Sequence, residues 1–198
     1  MKTIQLPLRD EDIRDLRVGD MIYLSGMIVT GRDEVHHRVV AQGIAPPLDL
    51  NGMALYHAGP IVKKDGQEWN MVSIGPTSSV RMEKWAADFI VKTGIKMMIG
   101  KGGMGEKTAA ACREYGVIHC VYPGGCAVLG ARQSEKIDGV HWPELGMPEA
   151  MWMIQVRAFG PLIVSIDTNG KNMFTDNAQY YASRKDACMK PIIENLRV

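Results

Sequence analysis

The chain has 198 residues, of which 46% are hydrophobic and 23% charged, and carries a formal net charge of +1. That balance excludes a disordered polymer and supplies one sizeable core, so 1–198 reads as a single domain. Lysines and arginines interleave with acids throughout, so no basic patch of the kind that holds nucleic acid stands out, and a nucleic-acid role is disfavoured.

The N-terminus, Met1-Lys2-Thr3-Ile4-Gln5-Leu6-Pro7, lacks the apolar core of a signal peptide, and no run approaches the roughly 18 apolar residues a spanning helix needs. The expected compartment is the cytoplasm, with no membrane attachment. Cys112, Cys120, Cys126 and Cys188 contain no Cys-x-x-Cys pair, so buried free thiols are expected rather than zinc or redox chemistry.

In chain order, residues 1–8 form a short strand and Arg9–Arg17 a brief turn of helix. Val18-Gly19-Asp20 turns into an apolar strand over Met21–Ile28. Thr30-Gly31-Arg32-Asp33 follows, with Thr30 or Asp33 capping a helix over Glu34–Gln42 and Arg32 at its N-terminal edge. Pro46-Pro47 and Asn51-Gly52 mark a loop, and Ala54–His57 and Ile61–Val62 are strand pieces broken by Gly59-Pro60. Lys64-Asp65-Gly66-Gln67 is a hairpin turn that returns through Glu68–Ile74.

The pattern changes at Gly75. Met82, Trp85, Ala86, Phe89 and Ile90 recur at helical spacing opposite Lys84, Asp88 and Lys92, and Thr93-Gly94 ends the helix. Ile95–Ile99 is a strand, Glu106–Tyr115 a helix, Val117–Val121 a strand, and a short helix starts near Gly125. Asp138–Pro148 reads as a loop anchored by Trp142, Ala150–Phe159 and Pro161–Ile166 as two strands, and Asp176–Leu196 as a helix interrupted or kinked at Pro191. Consecutive helix, strand, helix and strand require at least one parallel crossover. The expected fold class is α/β, a mixed curved sheet or partly open barrel with helices mainly on one side.

The stretch Gly75–Gly105 places Thr77, Arg81 and Lys101 at the two ends of one helix-plus-strand unit, where loops that follow strands collect at a rim suited to anions. Gly100-x-Gly102-x-x-Gly105 has the form of a dinucleotide fingerprint. Against that reading, Val117–Val121 runs into Tyr122-Pro123-Gly124-Gly125 with no acid to hold a ribose, and Lys101 stands inside the turn. No phosphate-cradling P-loop pattern is present. What remains is a glycine-rich anion loop, or a tight connection that needs glycine only for its backbone.

Arg32, Arg81 and Lys101, each on its own loop, suit a small substrate with more than one carboxylate, because guanidinium meets carboxylate in a fork and lysine adds a point charge. Such cations also stabilise charge that grows on a carboxylate when the adjacent carbon loses a proton, which points to elimination or hydration. His36, one turn beyond Arg32, and the glycines Gly102 and Gly103 are candidates to line the site. His37, His57, His119 and His141 take surface or core roles, and no metal-binding pair is recognisable.

Leu24-Ser25-Gly26 followed by Gly31-Arg32-Asp33-x-x-His36-x-Arg38, then Gly75-Pro76-Thr77-x-Ser79-x-Arg81-Met82, Gly100-Lys101-Gly102-Gly103-Met104-Gly105 and Glu144-Leu145-Gly146-Met147-x-Glu149-Ala150 form an ordered set. The set resembles the β subunit, or C-terminal domain, of class I iron-sulfur fumarate hydratases and the related L-tartrate dehydratases. The resemblance implies a swivelling β/β/α domain that closes over an active site shared with an α subunit. It implies that the α subunit carries a four-iron four-sulfur cluster acting as Lewis acid, and that this chain holds no metal. Carried over by position, Arg32, Arg81 and Lys101 would bind the carboxylates of a C4 dicarboxylate, and Thr77 would take the proton from carbon. The implied activity is that of a hydro-lyase subunit, inactive without its partner in a hetero-oligomer, hydrating fumarate to malate, with L-tartrate dehydration as the alternative. A stand-alone module for small anions or nucleotides is a further alternative.

Overall fold

The computed structural model describes residues 2–66 and 68–196. Its elements are β1 (Lys2–Gln5), α1 (Asp10–Ile13), β2 (Met21–Thr30), α2 (Asp33–Val40), β3 (Ala54–Tyr56), β4 (Ile61–Asp65), β5 (Glu68–Ser73), α3 (Glu83–Thr93), β6 (Met97–Gly100), α4 (Glu106–Tyr115), β7 (Ile118–Val121), α5 (Ala127–Arg132), β8 (Ser134–His141), β9 (Met151–Ile166) and α6 (Met173–Leu196). Short 3-10 turns precede α3 at Ser79–Met82 and follow β8 at Pro143–Leu145.

The strands β2, β3, β6 and β7 run parallel in that order, and β9 lies antiparallel to both β7 and β2. The sheet therefore closes into a barrel, more fully than the partly open form expected, because β9 is long enough to pair along both of its edges. β1 extends it beside β2, β8 extends it beside β9, and β4 and β5 make a separate hairpin. That hairpin matches the expectation, although Gln67 of its turn lies outside the described residues.

Alternation along the strands divides the apolar side chains between two cores. Ile28, Tyr56, Ile99 and Cys120 point inward with Phe159 and Val164 of β9, and Tyr56, Tyr122 and Phe159 pack ring against ring at 5.0–6.2 Å. Val29, Leu55 and Met98 point outward, where α2, α3 and α4 cover them with Val35, Phe89 and Cys112. Of the predicted stripe, Met82 is buried in the 3-10 turn and Ala86, Phe89 and Ile90 in α3, while Trp85 is half-buried; the helix ends at Gly94 with the left-handed φ of +66°.

Three expectations are corrected. The strands expected at Ala150–Phe159 and Pro161–Ile166 are one strand, β9. Gly160 and Pro161 fall in its register shift against β2, between the pairs Phe159–Leu24 and Leu162–Ile22, so the ladder never asks Pro161 for an N–H. Asp138–His141, expected as loop, belongs to β8. A register shift between Ile137 and Gly139 brings Ile137 and Val140 to the same core at a spacing of three, which hides the period of two from a sequence reading. Helix α6 starts at Met173 rather than Asp176 and is not interrupted at Pro191. No residue of α6 is buried, so its long exposed body carries Cys188 at the surface, and Cys126 is only half-buried. Of the thiols expected to be buried, Cys112 and Cys120 are, and burial pushes the Cys112 thiol up to about 12. Among the described residues no helix is long and apolar enough to cross a membrane.

Candidate active site

Because β2, β3 and β6 are parallel neighbours, their C-terminal ends deliver Gly31-Arg32, His57 and Lys101 to one rim of the barrel. The segment after the β4–β5 hairpin inserts between the diverging ends of β3 and β6. Thr77 N–H donates to the His57 carbonyl at 2.6 Å, Lys101 N–H donates to the Thr77 carbonyl at 3.0 Å, and Ser79 N–H donates to the Lys101 carbonyl at 3.0 Å. Thr77 and Lys101 are thereby fixed in adjacent register.

Arg32 reaches the same place from β2. Its Nη1 lies 3.5 Å from Thr77 Oγ1, and its Nε donates to Glu149 Oε1 at 2.6 Å. Gly59 lines the opposite wall, where a Cβ would stand 2.9 Å from Arg32 Nη1 and 2.7 Å from the Pro148 carbonyl. Arg81, set by the 3-10 turn, forks onto Asp33, with Nε–Oδ1 at 3.2 Å and Nη2–Oδ2 at 2.6 Å. Lys101 is exposed and, among the described residues, has no carboxylate within ion-pair distance. Of the three cations named from sequence, Arg32 reaches the Thr77 hydroxyl, Lys101 is tied to Thr77 through the backbone, and Arg81 joins the start of α2 through Asp33; Arg32 and Arg81 are balanced by resident carboxylates.

The other named residues stand differently. His36 has no exposed surface and lies beneath Arg32, its Nδ1 2.9 Å from the Arg32 carbonyl. Gly102 is exposed with φ +69°, a conformation that suits glycine, and Gly103 makes room for Phe174, which a Cβ would approach to 2.5 Å.

Two glutamates that sequence reasoning passed over complete the architecture. Glu83 Oε2 accepts from Gly105 N–H at 2.7 Å and from Thr108 Oγ1 at 2.6 Å, while its Oε1 accepts from Thr108 N–H at 3.3 Å. That carboxylate occupies the N-terminus of α4, where a dinucleotide pyrophosphate would have to sit, so the glycine pattern is spent on an internal cap. Glu149 does the same for α2: its Oε2 accepts from Glu34 N–H at 3.1 Å. Neither Thr30 nor Asp33 caps α2 as expected. Thr30 Oγ1 bonds to Ala150 and Trp152, and Asp33 is committed to Arg81. The signal for Glu149 lay in the Glu144–Ala150 motif, but only the fold brings that loop to Arg32. The N-termini of α2 and α4 are thus both filled by the chain's own acids.

A family model for the fumarase C-terminus matches residues 1–177. The chain belongs to the fumarase C-terminal family. Within that family it is 50% identical to the L(+)-tartrate dehydratase subunit beta of Escherichia coli K12, over 98% of this chain and 97% of that one. It is 43% identical to a Methanocaldococcus jannaschii protein provisionally named as the same subunit, over 85% and 89% of the two chains. It is also 40% identical to a longer Geobacillus stearothermophilus protein provisionally named a class I fumarate hydratase, matching 88% of this chain and 34% of that protein.

Among the described residues no group of three or more His, Cys, Asp or Glu side chains is placed to hold a metal ion, and Cys112 and Cys120 are buried in the two separate cores.

Proposed function

We propose that this chain is the β-type subunit of a cytoplasmic class I hydro-lyase, adding or removing water across the central carbons of a four-carbon diacid at a site completed by an α subunit. The observation that carries the proposal is the Arg32–Thr77 contact at 3.5 Å, with Lys101 bonded to the Thr77 carbonyl through its backbone N–H and Arg81 paired with Asp33, the residue after Arg32. Guanidinium and ammonium groups are the side chains suited to hold the two carboxylates of a short diacid.

In this reading Lys101 and Arg81 take substrate carboxylates, Arg81 by exchanging Asp33 for the substrate. Arg32, held through Nε by Glu149, keeps its outer nitrogens for the substrate and for Thr77. Thr77 takes the proton from carbon. An alcohol does this only when its oxyanion is stabilised, and the adjacent Arg32 guanidinium supplies that stabilisation. As negative charge spreads onto the neighbouring carboxylate, the cations bound there lower the barrier further. A four-iron four-sulfur cluster held by the α subunit would supply Lewis acidity to the departing hydroxyl, and no residue described here is assigned to it.

Hydration of fumarate to malate is the first substrate reading. L-Tartrate dehydration is the second, and near full-length identity to the E. coli subunit favours it. Anaerobic reconstitution with the α subunit, assayed on L-malate, fumarate and L-tartrate, tests both. Turnover of at least one of these supports the proposal, and turnover of none contradicts it.

A further inference from the structure

Behind the rim lies a set of fully buried polar side chains to which the proposed chemistry gives no role. His36, His57, Ser79, His119 and Ser165 each have 0% exposure. Ser79 Oγ lies 2.9 Å from His57 Nδ1 and 3.0 Å from His119 Nε2, and His119 Nδ1 lies 2.6 Å from Ser165 Oγ, which is 3.1 Å from the His119 carbonyl.

The donors in this line have one arrangement that satisfies them. A carbonyl only accepts, so the Ser165 hydroxyl gives its proton to the His119 carbonyl and its oxygen accepts from His119 Nδ1–H. Burial holds the His119 ring neutral, so Nε2 is bare and accepts the Ser79 hydroxyl proton. Ser79 has one proton, so its oxygen must accept from His57 Nδ1–H. His57 Nε2 has no partner in either direction; the reverse would bury it as an orphaned N–H, which is rarer than an unpaired acceptor, whereas this order leaves it a bare nitrogen. His36 follows the same rule, since its Nδ1 faces the Arg32 carbonyl.

We propose that Ser79 is a positioning residue for the site: by accepting a hydrogen bond from His57 Nδ1–H and donating one to His119 Nε2, it clamps the Thr77–Arg81 segment onto β6 and holds Thr77 and Lys101 in register. The packing around Gly100 fits this role. A Cβ there would stand 1.9 Å from Ser79 Oγ, 3.1 Å from His57 Nδ1 and 3.1 Å from the Thr77 carbonyl, so strand and clamp meet with no side chain between them. The positioning role rests on the hydro-lyase reading, whereas the proton order does not.

The test has two arms. In the full-length chain, long-range proton–nitrogen spectra of the imidazoles are expected to show His36, His57 and His119 neutral and protonated on Nδ1. Observing His57 or His119 protonated on Nε2 overturns the clamp whatever the enzyme catalyses. In Ser79→Ala the His57 and His119 signals are expected to shift, and exchange of the Lys101 amide to accelerate at least tenfold while amides of β2 stay protected. Unchanged Lys101 exchange in that variant overturns the proposal. In the reconstituted pair, Ser79→Ala is expected to lower kcat about ten- to a hundredfold with KM changed less than about threefold, as misplacement of a reacting group does. Wild-type kcat in a folded variant overturns the positioning role. An inactive wild-type pair instead counts against the hydro-lyase reading, and the spectra and amide exchange still decide the clamp.

Discussion

Arg32 and Glu149, separated by 117 positions in the chain, meet at 2.6 Å, and the same carboxylate caps α2 through Glu34 N–H at 3.1 Å. One side chain thus anchors Arg32, the cation proposed to bind substrate, and the helix that follows it. Both partners are mostly covered, with side-chain exposures of 22% and 17%, so the pair is worth more than a solvated surface bridge.

Glu149→Ala removes the cap and leaves Arg32 free to move. The expected loss is about 1–2 kcal/mol of stability in urea titration, together with a rise in KM for the diacid. Unchanged urea midpoint and unchanged KM would show that Glu149 anchors neither.

Lys101→Ala separates binding from folding. The side chain is exposed and, among the described residues, touches no acid, so stability should change by less than about 0.5 kcal/mol. Activity of the reconstituted pair should drop about a hundredfold or more, because a charge contact made to the reacting substrate is lost. Near wild-type kcat/KM would remove Lys101 from the site.

Glu83→Ala should act on structure first. Three hydrogen bonds at the start of α4 disappear, including one from the buried Thr108 hydroxyl, so thermal or urea unfolding should register a loss of about 2 kcal/mol. A variant as stable as the parent would mean that α4 has another cap.

Acid should weaken the fold before its carboxylates titrate. Burial holds His36 down to about 4 and His119 to about 3, both from an ordinary 6.5, and holds His57 well below that value. Below 6.5 the unfolded chain takes up protons that the folded chain refuses. Stability is therefore full above 6.5 and falls as pH drops toward about 4, with a limiting slope of about 1.4 kcal/mol per pH unit for each buried histidine. Urea titrations at pH 7, 6 and 5 check the sign, and equal midpoints would contradict the neutral buried state.

The elements readable from sequence were those whose period survives in three dimensions: the stripe of α3, the exact span of α4, and the strand and loop that lead to Lys101. The elements missed were those in which tertiary structure resets the period. The bulge at Ile137–Gly139 concealed β8, and the register shift at Gly160-Pro161 made one strand look like two. At the site, the cations and Thr77 were visible as residue types on loops and in an ordered motif set. Glu83 was not, because a carboxylate on a helix surface carries no local mark of the distant amide it will meet, and Glu149, though it stands in that motif set, gave no sign that it would reach Arg32.

The central claim, that this chain supplies cations and a proton acceptor to a site it does not complete alone, is tested most directly by mixing. The purified chain, the α subunit and their anaerobic mixture should be assayed side by side on L-malate, fumarate and L-tartrate, with Thr77→Val as the paired variant. The account predicts water addition or removal only in the mixture, and loss of at least about a hundredfold in kcat when Thr77 lacks its hydroxyl. Full turnover by the chain alone, or by a mixture containing Thr77→Val, would contradict it.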